Sequence, residues 1–373
     1  MYFFSSLFGF LAFNKKIKSY KNKKIVIYSE SNNYRNYFIK LIESLKDERN
    51  ISIIYVTSDK KDLSNLTNDI KPIFIGSGFF RILLFNLLEC DILLLTLTNL
   101  GKHDIKKSRG CKNYIYLFHS LVSTYKTYSH EAFAEYDIIF TNGKYQEREL
   151  KEAEKFFNYP VKKIINTGYI YLEKLRDEKS KIRSNKVLFA PSWNQSKSNL
   201  FNDHAENIVD RLLQKNFHVT LRTHPELLKR SNTTINQIKS KFDKNSNFEL
   251  NSNILNLKTI NDSFILITDN GGIAMEYFII QEKPVIYINY KEKIHNEYFH
   301  EISKDEIIED KFKNELGFKV DIEEINSIDI KIKEAIKDFE KKKKNINSFA
   351  LKNDIILKDQ VSNAKKAIID ILR

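Results

Sequence analysis

The chain has 373 residues, 42% of them hydrophobic and 29% charged, with a formal net charge of +13. That length exceeds one ordinary core and suits two domains, and the composition excludes a disordered or membrane-embedded polypeptide. The positive charge calls for an anionic partner, but with no Cys/His finger, no aromatic-basic single-strand motif and no basic recognition helix, nucleic acid is not expected.

Residues Met1 to Phe13, MYFFSSLFGFLAF, are apolar and aromatic, and Lys15, Lys16, Lys18, Lys21, Lys23 and Lys24 follow. A spanning helix needs roughly 20 apolar residues, so this stretch is too short to cross a bilayer. It also lacks the leading positive charge and small-residue cleavage site of a signal peptide. An apolar wedge before a basic run fits an interfacial anchor on anionic lipid, and so a cytoplasmic protein held peripherally on the inner face of the cell membrane. The same pattern also fits a first helix tucked against the body of the protein.

From Lys24 the chain alternates strand and helix. KIVIYS, ISIIYVTS, KPIFIGS, DILLLTL, NYIYLFHS and DIIFTNG read as strands, with helices over Asn36 to Leu45, Phe79 to Glu89 and Gln146 to Phe157. Cys90 and Cys111 make no metal or disulfide pattern and are read as core residues of a reducing compartment. After a short polar stretch, Asp177 to Asn185, the alternation restarts with strands KVLFAPS, HVTLRTHP, SFILITDN and KPVIYINY and helices His204 to Gln214 and Gly272 to Ile280. Nearly continuous apolar strands separated by helices signal parallel sheets covered on both faces. The expected fold is therefore α/β, two Rossmann-like doubly wound domains facing a central cleft. The expected divisions are an apolar and basic segment 1–23, a first domain 24–176, a second domain 186–345 and a C-terminal helix 346–373. That last part, with the helices Lys331 to Lys344 and Gln360 to Leu372, either closes the second domain or crosses back to the first.

Ligands of such folds bind at the carboxyl ends of the strands, so the polar residues there are the candidates: Ser29, His119, Ser192, Arg222, His224, Asp269 and Asn270. TDNGGIAMEY, Thr268 to Tyr277, ends a strand and opens a helix. Its free N–H groups and helix dipole suit a phosphate, while Gly271 and Gly272 serve equally well to permit a tight turn. In LRTHP, Arg222 can offer paired donors to a phosphate and His224 a hydrogen bond or a proton. In FHSLVSTYK, His119 has the pKa of a base for an acceptor hydroxyl, with Ser120, Ser123 and Lys126 in a polar loop suited to an anionic acceptor. A hydrogen-bonded histidine capping a buried loop fits the same residue. APSW holds the single Trp, Trp193, placed either to stack on a base or to pack in the core. There is no GxxxxGK loop, no Gly-rich turn after the first strand, no D-x-D pair and no GxSxG elbow.

In this order the strand-end motifs resemble the CDP-glycerol glycerophosphotransferase family, which builds teichoic acids and related capsule polymers. The family pattern has a His-Gly loop, then A-P-T followed by Trp or Tyr, then R-x-H-P, then T-D-Y-S-S with an acidic residue seven positions after its Asp. The counterparts here are His119-Ser120, APSW, RTHP, TDNGG and Glu276, so Ser120 stands where the pattern has Gly, and Gly271 and Gly272 where it has serines. The similarity runs over roughly residues 114–290.

The resemblance implies a GT-B fold, no metal or other cofactor, and transfer of glycerol phosphate from CDP-glycerol to a hydroxyl. It implies His119 as general base, with Arg222 and His224 binding or protonating the leaving phosphate. Asp269, Asn270, Gly271 and Gly272 would hold the pyrophosphate, with Ser192 and Trp193 beside the donor and Glu276 on its ribose or cytidine side. The expected partners are a CDP-activated polyol and an anionic or lipid-linked glycan. A GT-B glycosyltransferase using a nucleotide sugar, and a membrane-associated binding module without activity, are the competing readings.

Overall fold

The computed structural model describes residues 2–67, 69–102, 105–177, 179, 185–194, 196–252 and 257–373. The polar stretch 177–185 lies mostly outside the described residues. The chain forms two compact units: Met1–His119 with Tyr128–Lys174 and Asn353–Arg373, and Ser120–Thr127 with Leu175–Lys352.

The first unit is built on a seven-stranded sheet of β1 (Lys23–Ser29), β2 (Ile51–Thr57), β3 (Ile73–Phe74), β4 (Cys90–Leu95), β5 (Cys111–Leu117), β6 (Ile138–Thr141) and β7 (Lys163–Asn166). Its order is β3-β2-β1-β4-β5-β6-β7, and every pairing is parallel. The last five residues of β1 and of β2 are buried without alternation, as strands covered on both faces require. One core gathers Phe10, Phe13, Phe85, Tyr114 and Tyr116, and another gathers Phe38, Leu41, Ile42, Ala364 and Ile368. The helix Gln360–Leu372 thus packs with the helix Arg35–Leu45 as part of this unit.

Residues Tyr2–Ser19 form one helix. Its Phe10, Phe13 and Ile17 are buried in the first unit, while Tyr2, Phe3, Phe4, Phe8 and Leu11 remain exposed. Gly9 allows the close approach, because a β-carbon there would collide with the Phe74 carbonyl. Among the described residues no helix is long and apolar enough to cross a membrane.

The second unit carries a six-stranded parallel sheet of β8 (Lys186–Phe189), β9 (His218–Arg222), β10 (Phe248–Asn251), β11 (Ser263–Thr268), β12 (Val285–Asn289) and β13 (Phe318–Asp321), in the order β10-β9-β8-β11-β12-β13. The helix Leu200–Gln214 begins where the Asn199 side chain accepts a hydrogen bond from the Asn202 N–H at 3.0 Å. It buries Phe201, Ile208 and Leu212 against Val187, Phe189 and Ile267 of the sheet.

The expected central strands and helices are present, with shifted ends. KPIFIGS contributes only the two residues of β3, since Pro72 has no N–H for the ladder and Gly76 turns the chain with φ 67°. The edge strands β7, β10 and β13 were not expected, because KIIN, FELN and FKVD are too short and too polar to show an apolar run. Cys90 and Cys111 are both buried and free, facing each other across β4 and β5 with sulfurs 3.4 Å apart.

Candidate functional site

In the second sheet the strand order reverses between β8 and β11, and a crevice opens beyond the carboxyl ends of strands at such a point. Two loops leave these strands side by side, and hydrogen bonds lock them together. The Asp269 carboxylate, 4% exposed, accepts from the Ser192 N–H at 2.7 Å and from the Ser192 hydroxyl at 2.9 Å. The Thr268 hydroxyl donates to the Ala190 carbonyl at 2.7 Å. Directly after them Gly272 caps the helix Ile273–Gln281, whose first turn carries Glu276. Asn270 and Glu276 are half-buried.

Neither Gly271 nor Gly272 has a positive φ; among the described glycines that conformation belongs to Gly76, Gly101 and Gly168. The turn therefore does not need glycine for its backbone. Space is tight at Gly272, against side-chain atoms rather than backbone. A β-carbon on Gly272 would stand 2.6 Å from the Ser120 hydroxyl and 3.0 Å from Val122 Cγ1. The polar loop Ser120–Thr127 belongs to this same unit and lies directly on the helix start.

Basic side chains surround this point. His224 caps the helix Pro225–Arg230, its Nδ1 accepting from the Glu226 N–H at 3.2 Å, so the neutral ring carries its proton on Nε2. The residue keeps an exposed outer surface, yet its crowded ring is held below the usual histidine range by burial first and then by Lys293 and Arg222, with Glu226 opposing. Trp193 is partly buried at the edge of the core. Its ring lies 4.6 Å from that of His295 and 6.0 Å from that of His224, with the Arg230 guanidinium at 5.5 Å and the Lys293 ammonium at 5.3 Å. Such contacts hold cations near one another in spite of their repulsion.

Two more lysines, Lys313 and Lys126, and an acid complete the cluster. Burial pulls Lys293 down to about 8, against the pull of Asp269 and Glu309. Lys313 is lowered by burial as well, within electrostatic reach of Lys126 and Asp269. Lys126, 5% exposed, points its ammonium at Glu292 at 3.5 Å. Glu309 accepts from the Ser123 N–H at 2.9 Å through Oε1, and burial pushes its carboxyl up to about 7. Its Oε2 and the His295 Nε2 are buried without hydrogen-bond partners.

In the first unit His119 follows β5. Its ring meets Tyr34 at 5.2 Å, Tyr37 at 5.6 Å and Tyr116 at 6.5 Å, and its carbonyl accepts from the Tyr169 hydroxyl at 3.4 Å. Burial pulls the imidazole down to about 4, and Nδ1 is buried without a partner. The ring is therefore neutral near pH 7, but the same burial disfavours the imidazolium, so His119 is a weaker base than the ordinary imidazole expected from the sequence. At the sheet's own reversal, between β1 and β4, Ser29 spends its hydroxyl on the Ser31 carbonyl at 2.7 Å.

The structure thus brings Ser192, Trp193, Arg222, His224, Asp269, Asn270, Gly271, Gly272, Glu276, Ser120, Ser123 and Lys126 into one unit, with His119 one residue before Ser120 in the chain. Sequence reasoning missed Lys293, His295, Glu309 and Lys313. The first two follow β12 in KEKIHN, a strand-end loop that the same rule would have flagged; Glu309 and Lys313 lie in the helix Ile308–Glu315 and carry no motif. Among the described residues no group of three or more His, Cys, Asp or Glu side chains gathers as a metal site.

No protein-family model matches the chain, and no curated protein matches it. Solved structures do. The wall teichoic acid polymerase TagF is similar with a TM-score of 0.60 and 14% identity over 94% of this chain and 88% of that one. The two-domain Rossmann-like fold is of the GT-B type. The UDP-GlcNAc 2-epimerase of Neisseria meningitidis, bound to UDP-GlcNAc, gives 0.58 and 13% over 94% and 99%. A glycosyltransferase from Rickettsia africae gives 0.51 and 14% over 95% and 100%. At these identities the likeness is one of fold.

Proposed function

We propose that the protein is a GT-B transferase that moves glycerol phosphate, or a related polyol phosphate, from a CDP-activated donor to a hydroxyl of a cell-surface glycan, releasing CMP. The observation that carries this reading is the Ser192–Asp269 pair at the strand-order reversal, set beside a helix start and within electrostatic reach of Lys293 and Lys313, with Lys126 near Lys313 and Arg222 near His224. Free N–H groups and clustered cations suit a diphosphate. Asp269 is committed to Ser192, so its role is to hold the two loops in place. Trp193 keeps the basic side chains together.

In the proposed reaction the acceptor oxygen forms a bond to the polyol-bearing phosphorus while the bond from that phosphorus to the CMP oxygen breaks. His119 takes the acceptor proton, and the basic cluster and the Nε2–H of His224 stabilise the charge that develops on CMP. This is in-line transfer governed by positioning and charge, with no covalent intermediate. Replacing His119 by Ala should lower transfer by about 10²–10⁴-fold while leaving donor affinity nearly unchanged; transfer that survives the change would exclude His119 as the base.

A nucleotide-sugar glycosyltransferase is the second reading, favoured by the bare Gly271–Gly272 turn, which lacks two hydroxyls of the phosphotransferase pattern. The products separate the two, since attack at phosphorus releases CMP and attack at a sugar carbon releases a nucleoside diphosphate.

The helix Tyr2–Ser19 is proposed to rest on the inner face of the membrane. Its exposed Phe3, Phe4, Phe8 and Leu11, followed by Lys15, Lys16 and Lys18, support that reading.

A further inference from the structure

The exposed apolar surface of the first unit does not end with its amino-terminal helix. In the helix Tyr2–Ser19 the side chains of Phe4, Phe8, Leu11, Lys15 and Lys18 recur every three or four residues and are all exposed. One face of that helix thus carries apolar groups in its first half and ammonium groups in its second. The helix Phe79–Leu87 packs beside it. Its Phe79 and Leu87 are 62% and 61% exposed, and half-buried Leu83 lies between them on the same face. Adjoining exposed apolar groups of this size mark an interaction surface.

Aromatic rings join the two helices at one end. The exposed Phe3 ring lies 5.1 Å from Phe80, and Phe80 lies 5.4 Å from Phe79. The first helix is also locked to the chain that leads into the second. Its Tyr2 ring meets Phe74 at 5.6 Å, its Gly9 sits against the Phe74 carbonyl, and a β-carbon on Gly76 would stand 2.5 Å from the Ser6 hydroxyl oxygen. The two helices therefore hold their exposed apolar side chains in a fixed relation, and the first is no loose tether.

Charge decides what covers this surface. Neither helix contains an acidic residue, while Lys15, Lys16 and Lys18 lie near the end of the first and Arg81 in the second. The Lys60 ammonium adds a further cation, 4.4 Å from the centre of the Tyr2 ring. A second copy docked by the same surface would set these cations against one another or press them onto apolar rings. An anionic lipid surface instead takes the rings into its acyl boundary and the cations among its headgroups. We infer that the helix Phe79–Leu87 is a second lipid-contacting element, and that the protein docks on anionic lipid through both helices at once. Phe79, Leu83 and Leu87 enter the bilayer interface together with Phe4 and Phe8, and two contacts fix the orientation of the first unit where one would leave it free to turn. The inference rests on the membrane reading of the amino-terminal helix given above.

The test is sedimentation of the full-length protein with phosphatidylcholine vesicles containing phosphatidylglycerol, with Tm recorded for each variant. Phe79→Ser with Leu87→Ser should weaken partitioning onto the vesicles about tenfold or more and leave Tm unchanged, since both side chains are exposed. Leu87→Ser alone, remote from the buried Phe80, should weaken it about threefold. Phe3→Ser with Phe8→Ser is the companion variant. If the companion loses binding while the Phe79 and Leu87 variant binds like the wild type, the second element is overturned and the membrane reading of the first helix stands. Wild-type protein that does not sediment with the vesicles would sink both. A wild-type dimer that the Phe79 and Leu87 variant abolishes, without vesicle binding, would overturn the inference by assigning the surface to a second copy.

Discussion

Asp269 takes both of its close hydrogen bonds from a single residue, Ser192, at 2.7 Å from the N–H and 2.9 Å from the hydroxyl. Each residue ends a loop from one of the two strands that flank the reversal of the second sheet, so the pair ties the floor of the proposed donor site. Asp269→Ala leaves the buried Ser192 N–H without an acceptor, at a cost of about 1–3 kcal/mol. Asp269→Asn keeps an oxygen for that N–H and can donate its amide to the Ser192 hydroxyl, so it should lose much less. Urea unfolding of the two variants should rank them in that order, and donor binding should be lost in the Ala variant.

Lys293 supplies a charge that burial has weakened. With its ammonium pulled down to about 8, donor affinity should fall as pH rises through that value, since the neutral amine no longer attracts phosphate. Lys293→Arg keeps its charge well beyond this range, so its affinity should hold to higher pH. Lys293→Met should bind about tenfold more weakly at pH 7 and yet unfold at a temperature a few degrees higher, roughly 2–4 °C, because a buried charge has been removed. Affinity measured from pH 6 to pH 10 for the three proteins checks both statements.

Glu309 makes stability, rather than affinity, depend on pH. Its carboxyl is raised from 4.5 to about 7 by burial; the Ser123 N–H, its own N–H and Lys126 oppose that shift, and Asp310 adds to it. Between those values the folded protein holds a proton that the unfolded chain has released. The contribution to stability is full below the unfolded value and is lost as pH rises through about 7. Glu309→Gln keeps the acceptor for Ser123 and should gain on the wild type progressively from pH 5 to pH 8, by on the order of 1–3 kcal/mol. Chemical denaturation at several pH values measures the difference; a gain independent of pH would contradict it.

The amino-terminal helix needs point variants rather than deletion. Removing residues 1–13 would also remove Phe10 and Phe13, which are 9% and 2% exposed in the core of the first unit, and the loss of a buried Phe costs about 3–5 kcal/mol. Phe3→Ser with Phe8→Ser changes only exposed rings, 60% and 66% exposed. This variant should keep its Tm and lose sedimentation with vesicles containing anionic lipid, while retaining the weak, salt-sensitive attraction of the lysines. Unchanged sedimentation would show that the helix does not hold the protein to lipid.

The architecture was legible in the sequence where periodicity was strong. The apolar runs of β1, β2, β4, β5 and β11 announce parallel sheets, and the rule that ligands bind at strand ends points to Ser192, Arg222, His224 and Asp269 as candidates. Less was legible where the determinant is contact in space. Nothing local in TDNGG says that a side chain at position 272 would crowd a serine 152 positions earlier. Nor does the sequence near Glu309 say that its carboxyl is held by the Ser123 N–H. The pKa shifts of His119, Lys293 and Glu309 are likewise consequences of burial, which no motif encodes.

The most direct test of the account is the turnover of purified protein with a panel of activated donors, CDP-glycerol, CDP-ribitol, UDP-GlcNAc and a GDP-sugar, in the presence of a hydroxyl acceptor such as a lipid-linked glycan. Released nucleotides and the organic product are both identified. The account predicts CMP release from a CDP-polyol, a phosphodiester in the product, and loss of both in His119→Ala. Release of UDP or GDP from a sugar donor, with the CDP-polyols inert, would contradict it.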